Sequence, residues 1–217
     1  MKRLKDIVIF GMLLILAACQ QEELTINGTG TLLLEDLHLQ SVQTKAVDTD
    51  LYVVIKQNGA LLHSYEPGKV PASLPLTAGT YQLEIYNQKP TDESVLVAAV
   101  YYWTGDITIR SNEINRLEVT IPMVNVGIQL MDDLPSLFSD YKLNITQNGS
   151  SRSIAKGEIA YFKASEPLSY TLSATYQETQ QTTEPKTIQA PVAGFIYQIA
   201  YTVETKSVTC RTKGEIK

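Results

Sequence analysis

Side chains that carry chemistry are scarce in this chain. It has two histidines, two cysteines and one tryptophan in 217 residues. Neither His38 nor His63 has a neighbour at metal-ligand spacing, and no Cys-x-x-Cys or His-Glu-x-x-His occurs. His38 sits in an alternating Leu-His-Leu and His63 in a hairpin strand, so both read as surface or rim residues. Gly-x-Ser-x-Gly elbows and phosphate loops are missing as well. Asp132-Asp133 is an acidic pair, but adjacent acids in a turn read as a cap or a solvent-facing loop. No catalytic residue, metal or cofactor is therefore expected, and the chain reads as a non-enzyme. Carboxylates brought together by the fold, as in glycoside hydrolysis, are the one catalytic arrangement that spacing does not exclude.

Charge is also sparse. Charged residues make up 19% of the chain, and the formal net charge is −5. A nucleic-acid partner needs clustered Lys and Arg, and so does a polybasic membrane patch. Neither is expected here. Beyond residue 18 no apolar run approaches the roughly 20 residues that a membrane-spanning helix requires. No segment there sustains a 3.6-residue period either.

What is present begins with the first nineteen residues. Lys2, Arg3 and Lys5 precede a run of 12 apolar and small residues, Ile7 to Ala18. A basic start, a short apolar segment and small residues at its end match a secretory signal peptide, residues 1–18. Leu16-Ala17-Ala18-Cys19 resembles a bacterial lipoprotein box, with cleavage before Cys19 and lipid on its thiol. Attachment would come from acyl chains, each buried CH₂ contributing about 0.8 kcal/mol. The membrane is thus an expected partner through Cys19. Loss of Lys2, Arg3, Lys5 and Asp6 with the leader would make the mature chain more acidic still. Residues 19–29 read as a tether. Its acidic pair, Glu22-Glu23, resembles the surface-export signal of Bacteroidetes-type lipoproteins. This favours the outer membrane with the protein facing the exterior. If Cys19 is acylated, Cys210 is a lone thiol and no intrachain disulfide forms.

The rest alternates with period two. Leu117, Val119, Ile121 and Met123 share one face; Arg116, Glu118, Thr120 and Pro122 share the other. Phe195, Tyr197, Ile199, Tyr201 and Val203 repeat the pattern, as do Tyr81, Leu83 and Ile85, and Tyr170, Leu172 and Ala174. Asn58-Gly59 and Asn148-Gly149 are hairpin signals, because both central positions of a type I′ turn need positive φ. These features predict an all-β fold. The chain also repeats itself. Asp50–Gly59 resembles Asp140–Gly149, Tyr81-x-Leu83 resembles Tyr170-x-Leu172, and Leu117–Met123 has a counterpart in Ile199–Val203. Two tandem immunoglobulin-like β-sandwich domains follow as the expectation, 30–123 and 124–217, with a short, stiff junction near Val124-Asn125.

Gly30-Thr-Leu-Leu-Leu34, Leu76-Thr-Ala-Gly-Thr-Tyr81 and Tyr102-Trp-Thr-Gly-Asp-Ile-Thr-Ile109 are similar to a Bacteroidetes lipoprotein family known as domain of unknown function 4493. The likeness covers most of the chain after Cys19. It implies a surface or periplasmic lipoprotein built of β-sandwich domains and carries over no catalytic residues. Major-fimbria anchor and stalk lipoproteins look similar in layout.

Tyr101-Tyr102-Trp103 is the most suggestive ligand-binding feature. In a strand, Tyr101 and Trp103 share one face and Tyr102 takes the other. Either an aromatic stands exposed and stacks on sugar rings, or Trp103 fills the core and Tyr102 covers an edge. The polar segments Gln88–Ser94 and Gln177–Lys186 read as loops that offer partner contacts. Two functions emerge. The first is a lipid-anchored, non-enzymatic surface module for adhesion or assembly, with a surface protein or glycan as partner. The second is a glycan-binding accessory lipoprotein using Tyr101, Tyr102 or Trp103.

Overall fold

The computed structural model describes residues 28–40, 51–91, 93, 95–131, 134, 136–204 and 207–216. The leader, Cys19, most of the tether and Asp132-Asp133 lie outside them. Every helix or strand among the described residues is a β-strand. In the first half these are β1 (Thr29–Leu39), β2 (Tyr52–Gln57), β3 (Ala60–Tyr65), β4 (Ser73–Thr77), β5 (Gly79–Tyr86), β6 (Val95–Leu96), β7 (Tyr102–Ile109) and β8 (Ile114–Ile121). The second half has β9 (Asn125–Leu130), β10 (Phe138–Gln147), β11 (Ser150–Ile154), β12 (Ile159–Lys163), β13 (Leu168–Tyr176), β14 (Thr179–Thr182), β15 (Lys186–Ile188), β16 (Ile196–Glu204) and β17 (Ser207–Ile216).

These strands form four sheets. The first half gives β4-β1-β8 and β3-β2-β5-β7; the second gives β17-β16-β9-β12-β6 and β11-β10-β13-β14, with β15 also on β13. The two sheets of each half enclose one apolar cluster. Leu32, Leu74, Leu76 and Ile121 from the smaller first-half sheet meet Val53, Ile55, Tyr81, Leu83 and Ile85 from the larger. Val126, Ile128 and Phe162 likewise meet Leu143, Ile145, Tyr170 and Leu172. Each fully buried Leu, Ile or Val contributes about 1.5–3 kcal/mol, so these inner faces dominate the stability.

The chain is all-β and layered, as its alternation implies, but the strand order departs from the immunoglobulin one. In that order the first, second, fourth and fifth strands share a sheet. Here β1 lies between β4 and β8, and β2 lies between β3 and β5. The β1–β8 pairing is parallel, running from Thr31↔Ile114 to Leu39↔Ile121. The second half repeats the arrangement with β9 and β16, also parallel. Alternation tells which side of a strand is buried. It does not tell which strands lie beside it, and this is why the order was not readable.

The repeat is visible in space with one displacement. Asn58 and Gly59 have φ of 51° and 78°, and Asn148 and Gly149 have 50° and 79°, so the two hairpins turn alike. Ile55 faces Leu83, whereas its counterpart Ile145 faces Tyr170. Tyr170 thus takes the place of Leu83 and not of Tyr81. A slip of two residues keeps every side chain on its face, so the sequence pattern tolerates it.

The halves are tied where β8 ends at Ile121 and β9 begins at Asn125. Asn125 is 2% exposed. Its Nδ2 donates to the Ala98 carbonyl at 2.9 Å, and its Oδ1 accepts from the Val100 amide at 3.0 Å. The backbone adds bonds from the Val124 amide to the Val100 oxygen and from the Gly194 amide to the Asn125 oxygen. The segment so gripped carries β6 out of the first half and onto β12, where Val95 pairs with Phe162 and Leu96 with Tyr161. Arg152 Nη1 donates to the Leu96 carbonyl at 3.1 Å. In return Ile196 joins the first core, and Ile159 and Tyr161 pack against it. Gly127 allows this approach: a Cβ there would stand 2.9 Å from Cγ1 of Ile196 and 3.1 Å from Cγ2 of Ile159.

Replacing Asn125 by Leu leaves the buried Val100 amide without a partner and removes the donor to the carbonyl of exposed Ala98. A buried amide left unpaired costs about 1–3 kcal/mol, so urea unfolding is expected to show a loss of about 1–3 kcal/mol for Asn125→Leu.

Candidate binding face

The outer face of the β3-β2-β5-β7 sheet concentrates the side chains that can meet a ligand. Three strands bring residues into rows. Tyr52 pairs with Tyr86 and Tyr86 with Tyr102; Val54 pairs with Glu84 and Glu84 with Thr104; Lys56 pairs with Gln82 and Gln82 with Asp106. Neighbouring strands lie about 4.8 Å apart, so three tyrosines in one row must stand side by side. The Tyr52 and Tyr86 rings stack at 5.2 Å with 13° between planes, and Tyr86 and Tyr102 at 6.3 Å with 28°. Pairs of this kind add about 0.5–1.5 kcal/mol each beyond burial.

Glu84 sits against this ladder with its side chain 12% exposed. It accepts a hydrogen bond from the Tyr102 hydroxyl at 2.9 Å. Lys56 Nζ lies 3.5 Å and Lys89 Nζ 3.7 Å from its Oε2. Lys89 also lies over the Tyr86 ring, 5.2 Å from the centroid, in cation–π geometry. Burial pushes the Glu84 carboxyl up, but the Tyr102 bond and the charges of Lys89 and Lys56 outweigh it and hold the group below its ordinary value. Burial, the bond to Glu84 and the Glu84 charge all push the Tyr102 hydroxyl up, so it stays a donor.

Of the three aromatics singled out in the sequence, only Tyr102 belongs to this face. Tyr101 is 1% exposed and lies in the first core. Its backbone amide donates to Asn87 Oδ1 at 2.7 Å. A ligand platform including Tyr101 is therefore corrected: the side chain is enclosed. Trp103 is half-buried, turned inward and packed on the same core. Its ring covers Gly105, where a Cβ would stand 2.6 Å from Cζ2. Trp103 thus helps seat β7, and the alternation that turns it inward turns Tyr102 outward.

Tyr52, Tyr86, Glu84, Lys56 and Lys89 were not singled out from the sequence. Their signal was parity. Glu84 and Tyr86 fall one step off the buried Tyr81-Leu83-Ile85 face and must point out. Their meeting with Tyr52 and Tyr102 depends on register, which parity does not give. Lys89 comes from the polar Gln88–Ser94 segment. The other expected loop, Gln177–Lys186, is corrected: it contains β14 and the first residue of β15, entered through a turn with φ of 46° at Gln177 and 66° at Glu178. Two adjacent residues of positive φ suit a hairpin, so half of this polar stretch is strand and the rest is turn or irregular chain. His63 stacks on Tyr65 at 5.9 Å, and His38 is exposed. Among the described residues no group of three His, Cys, Asp or Glu is placed to hold a metal ion.

The ladder is not demanded by the scaffold. In the second half the positions equivalent to Tyr52 and Tyr86 are Lys142 and Ser173, which pair across β10 and β13. That face carries small polar contacts such as Asn144 Nδ2 to Ser173 Oγ at 2.8 Å.

Strand order, two enclosed cores and a tyrosine-lined sheet face define the chain as a layered all-β protein whose distinctive chemistry lies on an open surface. Residues 28–216 match the family described as a domain of unknown function, DUF4493, and the chain belongs to that family. Its fold is similar to two crystal structures, each named a "putative cell adhesion protein". The one from Bacteroides eggerthii has 10% identity and a TM-score of 0.51, with 88% of this chain and 96% of that chain covered. The one from Bacteroides uniformis has 10% identity and a TM-score of 0.51, with coverage of 86% and 96%. At such identity the likeness is one of fold. No curated protein matches the chain.

The Glu84 cluster gives a pH signature. Because its folded pKa lies below the ordinary 4.5, its contribution to stability is complete above that value and is lost as pH falls through the lower folded value. Glu84→Gln is expected to cost about 0.5–1.5 kcal/mol at neutral pH, and the difference from the unaltered protein should vanish in strong acid. Urea unfolding at the two pH values measures it.

Proposed function

We propose that the chain is a non-enzymatic binding module, held by lipid on Cys19 at the outer membrane and facing the cell exterior, where it serves adhesion or the assembly of a surface structure. Two sandwich domains, 30–123 and 124–217, would stand on the short tether of residues 19–29. The observation that carries this reading is the tyrosine ladder around Glu84, present in the first half and replaced by Lys142 and Ser173 at the same positions of the second. A repeated scaffold that differs in its aromatic surface is what a binding role requires and a purely structural role does not. Three further points support it. Leu16-Ala17-Ala18-Cys19 suits lipidation, and Glu22-Glu23 suits export to the surface. The proteins of similar fold from two Bacteroides species are named for cell adhesion. A glycan-binding accessory role is the second reading, favoured by the outward Tyr102 beside Tyr86.

Anchoring and exposure are measured together on whole cells. Protease added outside should degrade the unaltered protein, and labelled palmitate should be incorporated into it. Cys19→Ala should lose the label and leave the membrane fraction. A protein that survives protease treatment when known surface proteins are stripped would contradict the surface placement.

A further inference from the structure

We infer that the Tyr52–Tyr86–Tyr102 face binds an uncharged glycan through its hydroxyl groups. The inference rests on the reading of the chain as a surface binding module and names the class of ligand for it.

The first argument is unused hydrogen-bonding capacity. The hydroxyls of Tyr52 and Tyr86 meet no hydrogen-bonding group among the described residues. The Tyr102 hydroxyl donates to Glu84 and keeps its acceptor lone pairs free. Two rows along the same face stand exposed Gln82 and Asp106, which add an amide and a carboxylate. The face therefore offers donors and acceptors close together, spread over a flat sheet. A polyol presents the same mixture in return.

The second argument is charge. Lys56 and Lys89 are both engaged by Glu84, and Asp106 lies in the row of Lys56. Two cations and two carboxylates cancel. An anionic ligand would have to draw the lysines away from Glu84, and a cationic one would have to displace them. An uncharged ligand faces neither cost.

The third argument separates a glycan from a protein partner. Protein interfaces draw their energy from buried aromatic and apolar anchors in desolvated pockets. Of the strongly exposed large apolar residues of the described chain, Leu61 and Leu62 lie on β3 at the edge of this sheet, with Leu61 paired to Lys56, while Val97, Ile114, Leu137 and Val192 lie elsewhere. None stands on the tyrosine-bearing strands β2, β5 and β7. The tyrosine rings cover one another's faces, so they present edges and hydroxyls to solvent. Recognition is consequently led by hydrogen bonds, with modest affinity at each copy. Many copies on one membrane compensate by avidity.

The test uses the full-length lipoprotein, displayed on cells and also purified in detergent. The probes are a starch-type glucan, a mannan and a galactan as uncharged polymers, with hyaluronan and heparin as anionic ones. At least one uncharged polymer is expected to bind, with little change when salt rises from about 0.05 to about 0.5 M. The double variant Y52F/Y86F keeps the rings and removes two hydroxyls, and should bind at least tenfold more weakly. Lys142→Ala and Ser173→Ala on the equivalent second-half face should bind like the unaltered chain. Three results would overturn the inference: no uncharged polymer binds, only anionic polymers bind and salt abolishes it, or Y52F/Y86F binds undiminished. Any of these in a protein that external protease still removes leaves the surface role standing. Survival under protease defeats the surface role whatever the detergent-purified chain binds.

Discussion

Asn125 is the residue on which the arrangement turns. A buried amide side chain is costly unless each of its polar atoms is used. Here the oxygen and the nitrogen are both spent on backbone groups of residues 98–100, a segment distant in sequence. That segment continues back to β6, which has left its own half to extend the other half's sheet. Ile196 crosses in the opposite direction and enters the first core. Neither half completes its hydrophobic burial or its strand pairing alone.

This coupling bears on the tyrosine face. The stretch gripped by Asn125 runs straight into Tyr101 and β7. Tyr101 is buried and its amide is held by Asn87; Trp103 is seated over Gly105. The inward side of β7 is thereby fixed, and Tyr102 is delivered to the outer side in register with Tyr86 and Tyr52. Glu84 then orients the row through the Tyr102 hydroxyl and gathers Lys56 and Lys89 around it. A face assembled on three packed strands loses little freedom on binding, which favours weak polar contacts that a flexible loop would not sustain.

Much of this was legible in the sequence, for identifiable reasons. Period two gave the strands and their buried sides, from Tyr81-Leu83-Ile85 to Tyr197-Ile199. Asn-Gly gave two hairpins, because few other pairs accept two adjacent positive φ values. Parity also divided Tyr101 and Trp103 from Tyr102. The rest depended on relations between strands. Parallel pairing of β1 with β8, the two-residue slip between the repeats and the migration of β6 leave no mark on alternation. Ile196 and Ala200 were hidden in a different way. Both lie on the supposedly wet side of β16 and are buried, Ile196 because it enters the other half's core. The ladder was missed for the same reason: Tyr52 and Tyr102 stand fifty residues apart and become neighbours only through β5.

The most direct measurement is scanning calorimetry of the full-length chain, because it asks whether the crossing joins the halves into one unit. A single transition is expected, with equal calorimetric and van't Hoff enthalpies. Two separate transitions, each with the enthalpy of about half the chain, would contradict it.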